Sequence, residues 1–188
     1  MVRNPELAIR AAREQCKHGP RLDKLLGVDD PVGNCLKAVR VCYGVNAFDF
    51  TPKDKNVPLA VEAFLNAEHT HPTQDTHKIP RGVPIFWRSK REGRAGHVAI
   101  SVGDGDCWST DIRRDGFFDL VPISVIAPEF GAVLLGWTED LNGVRVWQPP
   151  KQLTLVEQAR RLLVRARNNA GPVRKRQIVA MLKAGPER

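Results

Sequence analysis

Two residues in this chain have the types and settings that amide chemistry needs. They are Cys35, within Gly33-Asn34-Cys35-Leu36-Lys37, and His97, within Gly96-His97-Val98-Ala99-Ile100-Ser101. The cysteine stands where a helix should begin, with Asn34 as its N-cap. Unpaired amides in a first helical turn and the positive end of the helix dipole favour a thiolate there. A neighbouring imidazole would favour it further, and the same amides can receive the oxyanion of a tetrahedral intermediate. The histidine opens an apolar strand, and Gly96 leaves room beside it for backbone or substrate. Together Cys35 and His97 would make a thiol–imidazole pair that hydrolyses amides.

A third residue follows from the hairpin after His97. If Gly103-Asp104-Gly105 is a three-residue loop, Val102 pairs with Asp106, Ser101 with Cys107, and His97 falls opposite Asp111. Directly opposed residues share a face, so Asp111 could accept the imidazole N–H and fix its tautomer. A two-residue loop shifts the register by one, and Ser109 becomes the nearest polar neighbour on that face.

The elements that must hold these residues are legible in outline. Asn4-Pro5-Glu6 is a helix start, and Gly19-Pro20 ends that helix. Leu36, Val39 and Tyr43 give the Cys35 helix one apolar face. Pro58 opens a third helix, expected to run to near Glu68, and residues 69–80 read as irregular. From Gly82 the pattern changes to strands: Val83–Trp87, Val98–Val102, Asp106–Ile112, Phe117–Val121 and Val133–Trp137. Helices followed by antiparallel strands make an α+β domain over residues 1–150.

Pro149-Pro150 marks a boundary. Thr154-Leu155-Val156-Glu157 is a capping box, and an amphipathic helix follows. Gly171-Pro172 breaks it, and a shorter basic helix over Val173–Lys183 completes an appendage of residues 151–188. The net charge of +8 comes from this appendage alone, which holds ten Lys and Arg against two Asp and Glu. Arg160, Arg161, Arg165, Arg167, Arg174, Lys175 and Arg176 are its anion-binding candidates and could meet an anionic polymer, although a solvated pair of helices is the plainer reading. A basic nucleic-acid-binding protein is the alternative of another class. Its binding would be non-specific, and stacking on single strands is disfavoured because no aromatic residue lies beyond Trp147.

Other classes are excluded more simply. No apolar run is long enough to span a bilayer, and Met1-Val2-Arg3-Asn4-Pro5 lacks the apolar core of a signal peptide. Cytoplasmic synthesis is therefore expected. The cysteines Cys16, Cys35, Cys42 and Cys107 have no metal-ligand spacing and imply no disulfide framework. His69, His71, Asp75 and His77 are close enough to be weighed as zinc ligands. They lie in a polar loop without a supporting helix motif, so no metal or other cofactor is expected.

A helix-start cysteine, a strand histidine and an acceptor on the next strand come in the order of papain-like folds. The body resembles the cell-wall cysteine hydrolases of the CHAP and NlpC types, particularly small versions from phages of actinobacteria. The resemblance rests on Gly33-Asn34-Cys35, on Pro80-Arg81-Gly82-Val83-Pro84-Ile85-Phe86-Trp87, on Gly96-His97-Val98-Ala99-Ile100-Ser101, on Trp108-Ser109-Thr110-Asp111, and on Leu135-Gly136-Trp137 through Gly143. It implies a thiol peptidase or amidase acting on bacterial peptidoglycan, released as a phage lysin or carried in a virion, and makes anionic cell-wall polymers a partner for the basic appendage. The implied catalytic residues are Cys35, His97 and Asp111, with Asn34 and Ser109 as oxyanion or orienting candidates. The flanks Asn34 and Leu36-Lys37 differ from the Asp or Gln and the aromatic or Ser-Gly usual there. The bond, at the sugar–peptide junction or within the peptide, stays open, as does a protein substrate.

Overall fold

The computed structural model describes residues 4–30, 32–46, 59–91, 95–149 and 155–169. The chain divides into two compact units, Met1–Gln148 and Pro149–Arg188. The first is α+β: N-terminal helices, then an antiparallel sheet.

Helix α1 (Pro5–His18) starts as its sequence dictates, with the Asn4 side chain accepting from the Leu7 amide at 2.9 Å. A short α2 (Leu22–Leu26) follows, then α3 (Cys35–Tyr43) and α4 (Ala60–Leu65). The helix expected from Pro58 is α4, which ends at Leu65 rather than near Glu68, and Pro58 itself lies outside the described residues. Six strands form one sheet in the order β1-β6-β2-β3-β4-β5: β1 (Thr70–Pro72), β2 (Pro84–Ser89), β3 (His97–Gly103), β4 (Asp106–Thr110), β5 (Phe118–Pro122) and β6 (Ala132–Thr138). Strand β1 corrects the expectation of an irregular 69–80 segment. It is three residues long and polar, and it pairs only with β6. A one-turn α5 (Ile126–Glu129) precedes β6, and a small hairpin, β7 (Asp140–Leu141) and β8 (Val144–Arg145), ends the unit.

The sheet is buried on both faces, which is why its strands read as apolar runs rather than alternations. Phe86, Val98, Ile100 and Trp108 pack against Ala8, Ala12, Leu36, Val39 and Phe64 of the helices. Ile85, Trp87, Ala99 and Cys107 belong to the opposite layer, with Ile79, Ile123, Ile126 and Trp137. Tyr43 joins the Cys35 helix to the start of β2, its hydroxyl donating to the Gly82 carbonyl at 2.8 Å in a buried site.

The β3–β4 hairpin combines both geometries weighed from sequence. The turn itself has two residues, since Gly103 pairs with Asp106. A bulge at Val102 then absorbs one residue, so Ser101 still pairs with Cys107 and Ile100 with Trp108. β4 is shorter than the expected Asp106–Ile112. It stops at Thr110 because Asp111 turns to φ +61° and leaves the ladder.

The buried tyrosine tests the tie between helix and sheet. Tyr43→Phe leaves the Gly82 carbonyl unpaired and should cost about 1–3 kcal/mol in urea unfolding. A loss below measurement error would mean that the hydroxyl contributes nothing to holding α3 in place.

Candidate active site

Cys35 is the first residue of α3, and His97 is the first residue of β3. Both are buried, and both line one cleft of about 540 Å³ with Gly33, Asp111, Arg91, Glu129 and Phe130. α3 packs directly on β3, so the helix start and the strand start arrive at the same end of the sheet. Gly96 makes that arrival possible. Its φ is +72°, and a side chain there would put Cβ 2.4 Å from the Trp87 carbonyl oxygen. The close approach expected of Gly96 is therefore made by backbone.

The imidazole is held on three sides. Its Nε2 lies 2.8 Å from Ser109 Oγ, a buried hydrogen bond. The Phe130 ring centroid lies 4.4 Å from that of His97, and the Trp87 centroid lies 5.8 Å away. Ser109 Oγ is also 3.4 Å from the Thr110 carbonyl oxygen. A hydroxyl has one proton to give. Given to that carbonyl, it leaves Oγ to accept from Nε2–H, and Nδ1 then carries the lone pair that can take a proton.

Asp111 lines the cleft but serves its own β4–β5 loop and the loop before Cys35. Its Oδ1 accepts from the Gly116 amide at 2.7 Å, and the Gly33 amide also faces the carboxylate. Burial pushes its carboxyl above the usual range against these amides. The hydrogen bond to His97 expected of Asp111 is made by Ser109 instead, because Asp111 has turned out of the strand. Asn34 occupies the N-cap position, but its side chain does not cap the helix. Its Nδ2 donates to the Asp30 carbonyl at 2.9 Å, and it is absent from the cleft wall.

The electrostatics correct the expectation of a ready thiolate. Burial pushes the Cys35 thiol up to about 11, although the Val98, Leu36 and Cys35 amides face the sulfur and favour its anion; the Asp111 carboxylate adds to the rise. Burial likewise pushes His97 down to about 3. Desolvation outweighs a helix N-terminus here because the penalty acts on the whole charge while the amides offer only partial ones. No hydrogen bond joins thiol to imidazole among the described residues. The resting pair is a neutral thiol and a neutral imidazole opening into the same cleft, and catalytic contacts often tighten only with substrate bound.

Phe130 was not foreseen as a neighbour of His97, since only the turn that carries it brings it there. Trp87 pairs directly with His97 across β2 and β3. Elsewhere, His71 stacks on Trp137 at 3.8 Å and bonds Glu139 at 3.1 Å, while His77 lies against Gly105. Among the described residues no group of His, Cys, Asp and Glu could hold a metal ion. In the second unit, Arg160 and Arg165 are exposed on α6 (Leu155–Asn169), which also carries Arg161 and Arg167 in its backbone. Arg174, Lys175, Arg176 and the expected second helix lie outside the described residues. Comparison of the chain with protein-family models, with curated proteins and with solved structures found no match.

Two measurements test this resting state. Alkylation of Cys35, followed by peptide mapping, should rise about tenfold per pH unit from pH 7 to 9, as the thiolate fraction does far below its pKa. A plateau at neutral pH would instead reveal a preformed ion pair. Phe130→Ala admits water to the imidazole and should move the NMR titration of His97 upward, towards the ordinary value of about 6.5. An unmoved titration would show that Phe130 does not shield the ring.

Proposed function

We propose that this chain is a cysteine hydrolase of papain-like arrangement that cleaves an amide bond of bacterial peptidoglycan. The observation that carries the chemistry is one cleft lined by a helix-start cysteine and a strand-start histidine, with Ser109 behind the imidazole. The choice of peptidoglycan rests on the resemblance in the segments around Cys35, Pro80–Trp87, His97, Trp108–Asp111 and Leu135–Gly143. A phage lysin or a virion-borne wall hydrolase is the corresponding biological role.

In this reading Cys35 starts as a thiol. As substrate fills the cleft, His97 Nδ1 takes the thiol proton and Sγ attacks the amide carbonyl carbon. The oxygen becomes an oxyanion beside the amides that face the sulfur, those of Val98, Leu36 and Cys35. His97 then gives its proton to the leaving amine as the C–N bond breaks, and a thioester remains. A water loses a proton to His97 and attacks the thioester carbon, the C–S bond breaks, and His97 returns the proton to Cys35 Sγ as the acid is released. Ser109 keeps Nε2–H occupied throughout, so that Nδ1 alone exchanges protons. Asp111 supports the loop that presents Cys35.

Turbidity loss of purified actinobacterial cell walls tests this assignment. Cys35→Ala should abolish it, and His97→Ala should slow it by about 10²–10⁴-fold. Ser109→Ala leaves the buried imidazole N–H unpaired and should slow hydrolysis beyond what a stability loss of about 1–3 kcal/mol explains, whereas Asp111→Ala should act chiefly by lowering stability. Mass spectrometry of the fragments names the bond. Full lysis by Cys35→Ala refutes the mechanism.

A further inference from the structure

Helix α6 is amphipathic in a particular way. At 100° per residue, Ala159, Leu162, Leu163 and Ala166 fall on one arc, and Arg160 and Arg165 stand on its two sides. That arc is open to water: Leu162 is 67% exposed, Ala159 and Ala166 are exposed, and Leu163 is half-buried. Both flanking arginines are exposed as well. The helix is neither long nor apolar enough to cross a membrane.

We propose that α6 lies on an anionic lipid surface, with its apolar arc against the acyl chains and Arg160 and Arg165 on the headgroup phosphates. The whole residue pattern selects this partner. A polyanion such as nucleic acid or a wall polymer would satisfy the arginines but leave Leu162 in water. A second copy of the helix would cover Leu162 but bring the arginines of each copy against those of the other. A bilayer rich in anionic lipid takes both parts at once: apolar side chains enter the interface, and cations at its rim meet phosphate. The charge of residues 151–188, ten Lys and Arg against two Asp and Glu, has the sign this surface needs. For a wall hydrolase the consequence is retention at the membrane beneath the wall, but lipid binding itself does not depend on Cys35.

The test uses the full chain in co-sedimentation with vesicles of phosphatidylglycerol and phosphatidylethanolamine, and separately of phosphatidylcholine, at physiological salt. Wild type and Cys35→Ala should both bind the anionic vesicles and leave phosphatidylcholine largely unbound. Leu162→Gln, at an exposed position and without change of charge, should weaken binding about tenfold and leave wall hydrolysis unchanged. Arg160→Gln with Arg165→Gln should weaken it too. Binding unaffected by Leu162→Gln, equal binding to both vesicle types, or retention on DNA or purified wall polymer without any on vesicles would overturn the proposal. Loss of hydrolysis in Cys35→Ala with vesicle binding intact separates this inference from the catalytic reading.

Discussion

A β-strand turns its side chains to alternate faces, so pairing tolerates no slip of one residue. The cleft depends on that constraint at the β3–β4 hairpin. The turn is one residue shorter than the loop that would place Ser101 opposite Cys107, and the bulge at Val102 restores the difference. Ser109 therefore sits on the same face as His97, buried, with its hydroxyl on Nε2. Without the bulge, the two-residue turn would carry Ser109 and Cys107 into the helix-facing layer, so that loop length alone does not bring Ser109 to the face of His97 as expected from sequence. Trp108, now packed on that layer, would point towards the imidazole. The orientation of the proposed base is thus set by backbone pairing several residues away.

Burial then decides what chemical state the pair is in. Cys35 and His97 are both taken out of water, and each is driven towards its neutral form. The two shifts are opposite in direction and share one cause. A thiol held protonated resists oxidation and premature reaction, and in the proposed mechanism the pair exchanges a proton only when something in the cleft lowers the cost of charge. The amides of Val98, Leu36 and Cys35 face the sulfur. Their benefit is largest when negative charge is on the sulfur or on an oxygen beside it, and small when the thiol is at rest.

Much of the architecture was legible because it rests on local signals. Asn4-Pro5-Glu6 caps α1 as its residue types require, and the apolar runs around Phe86 and Ile100 are strands because both sheet faces are covered. The expectation was weaker where long-range packing decides. Strand β1 escaped notice because Thr70-His71-Pro72 has neither alternation nor apolar content and exists only by pairing with β6. Asn34 holds the N-cap position, yet its side chain prefers the Asp30 carbonyl, a choice made by loop geometry. The register at Ser101 was foreseen for one loop length and realised with another. Asp111 shows the same limit: opposite His97 by count, it leaves the strand, takes the Gly116 amide of its own β4–β5 loop, and meets the Gly33 amide before Cys35. The burial of Cys35 depends on a core it shares with residues far away in the chain, such as Ile100 and Trp108, so residue type and helix position alone predict the wrong direction.

The two margins of the sheet carry a consequence of another kind. Strand β1 is three residues long and ends at Pro72, and strand β5 ends at Pro122. Proline has no N–H to offer a further strand, and so short an outer strand as β1 gives an incoming chain little to template on. Pairing between molecules is discouraged at both sides of a sheet whose central strands, taken alone, are apolar enough to associate. The fold therefore encloses a strongly apolar interior between margins that offer an incoming strand few free donors.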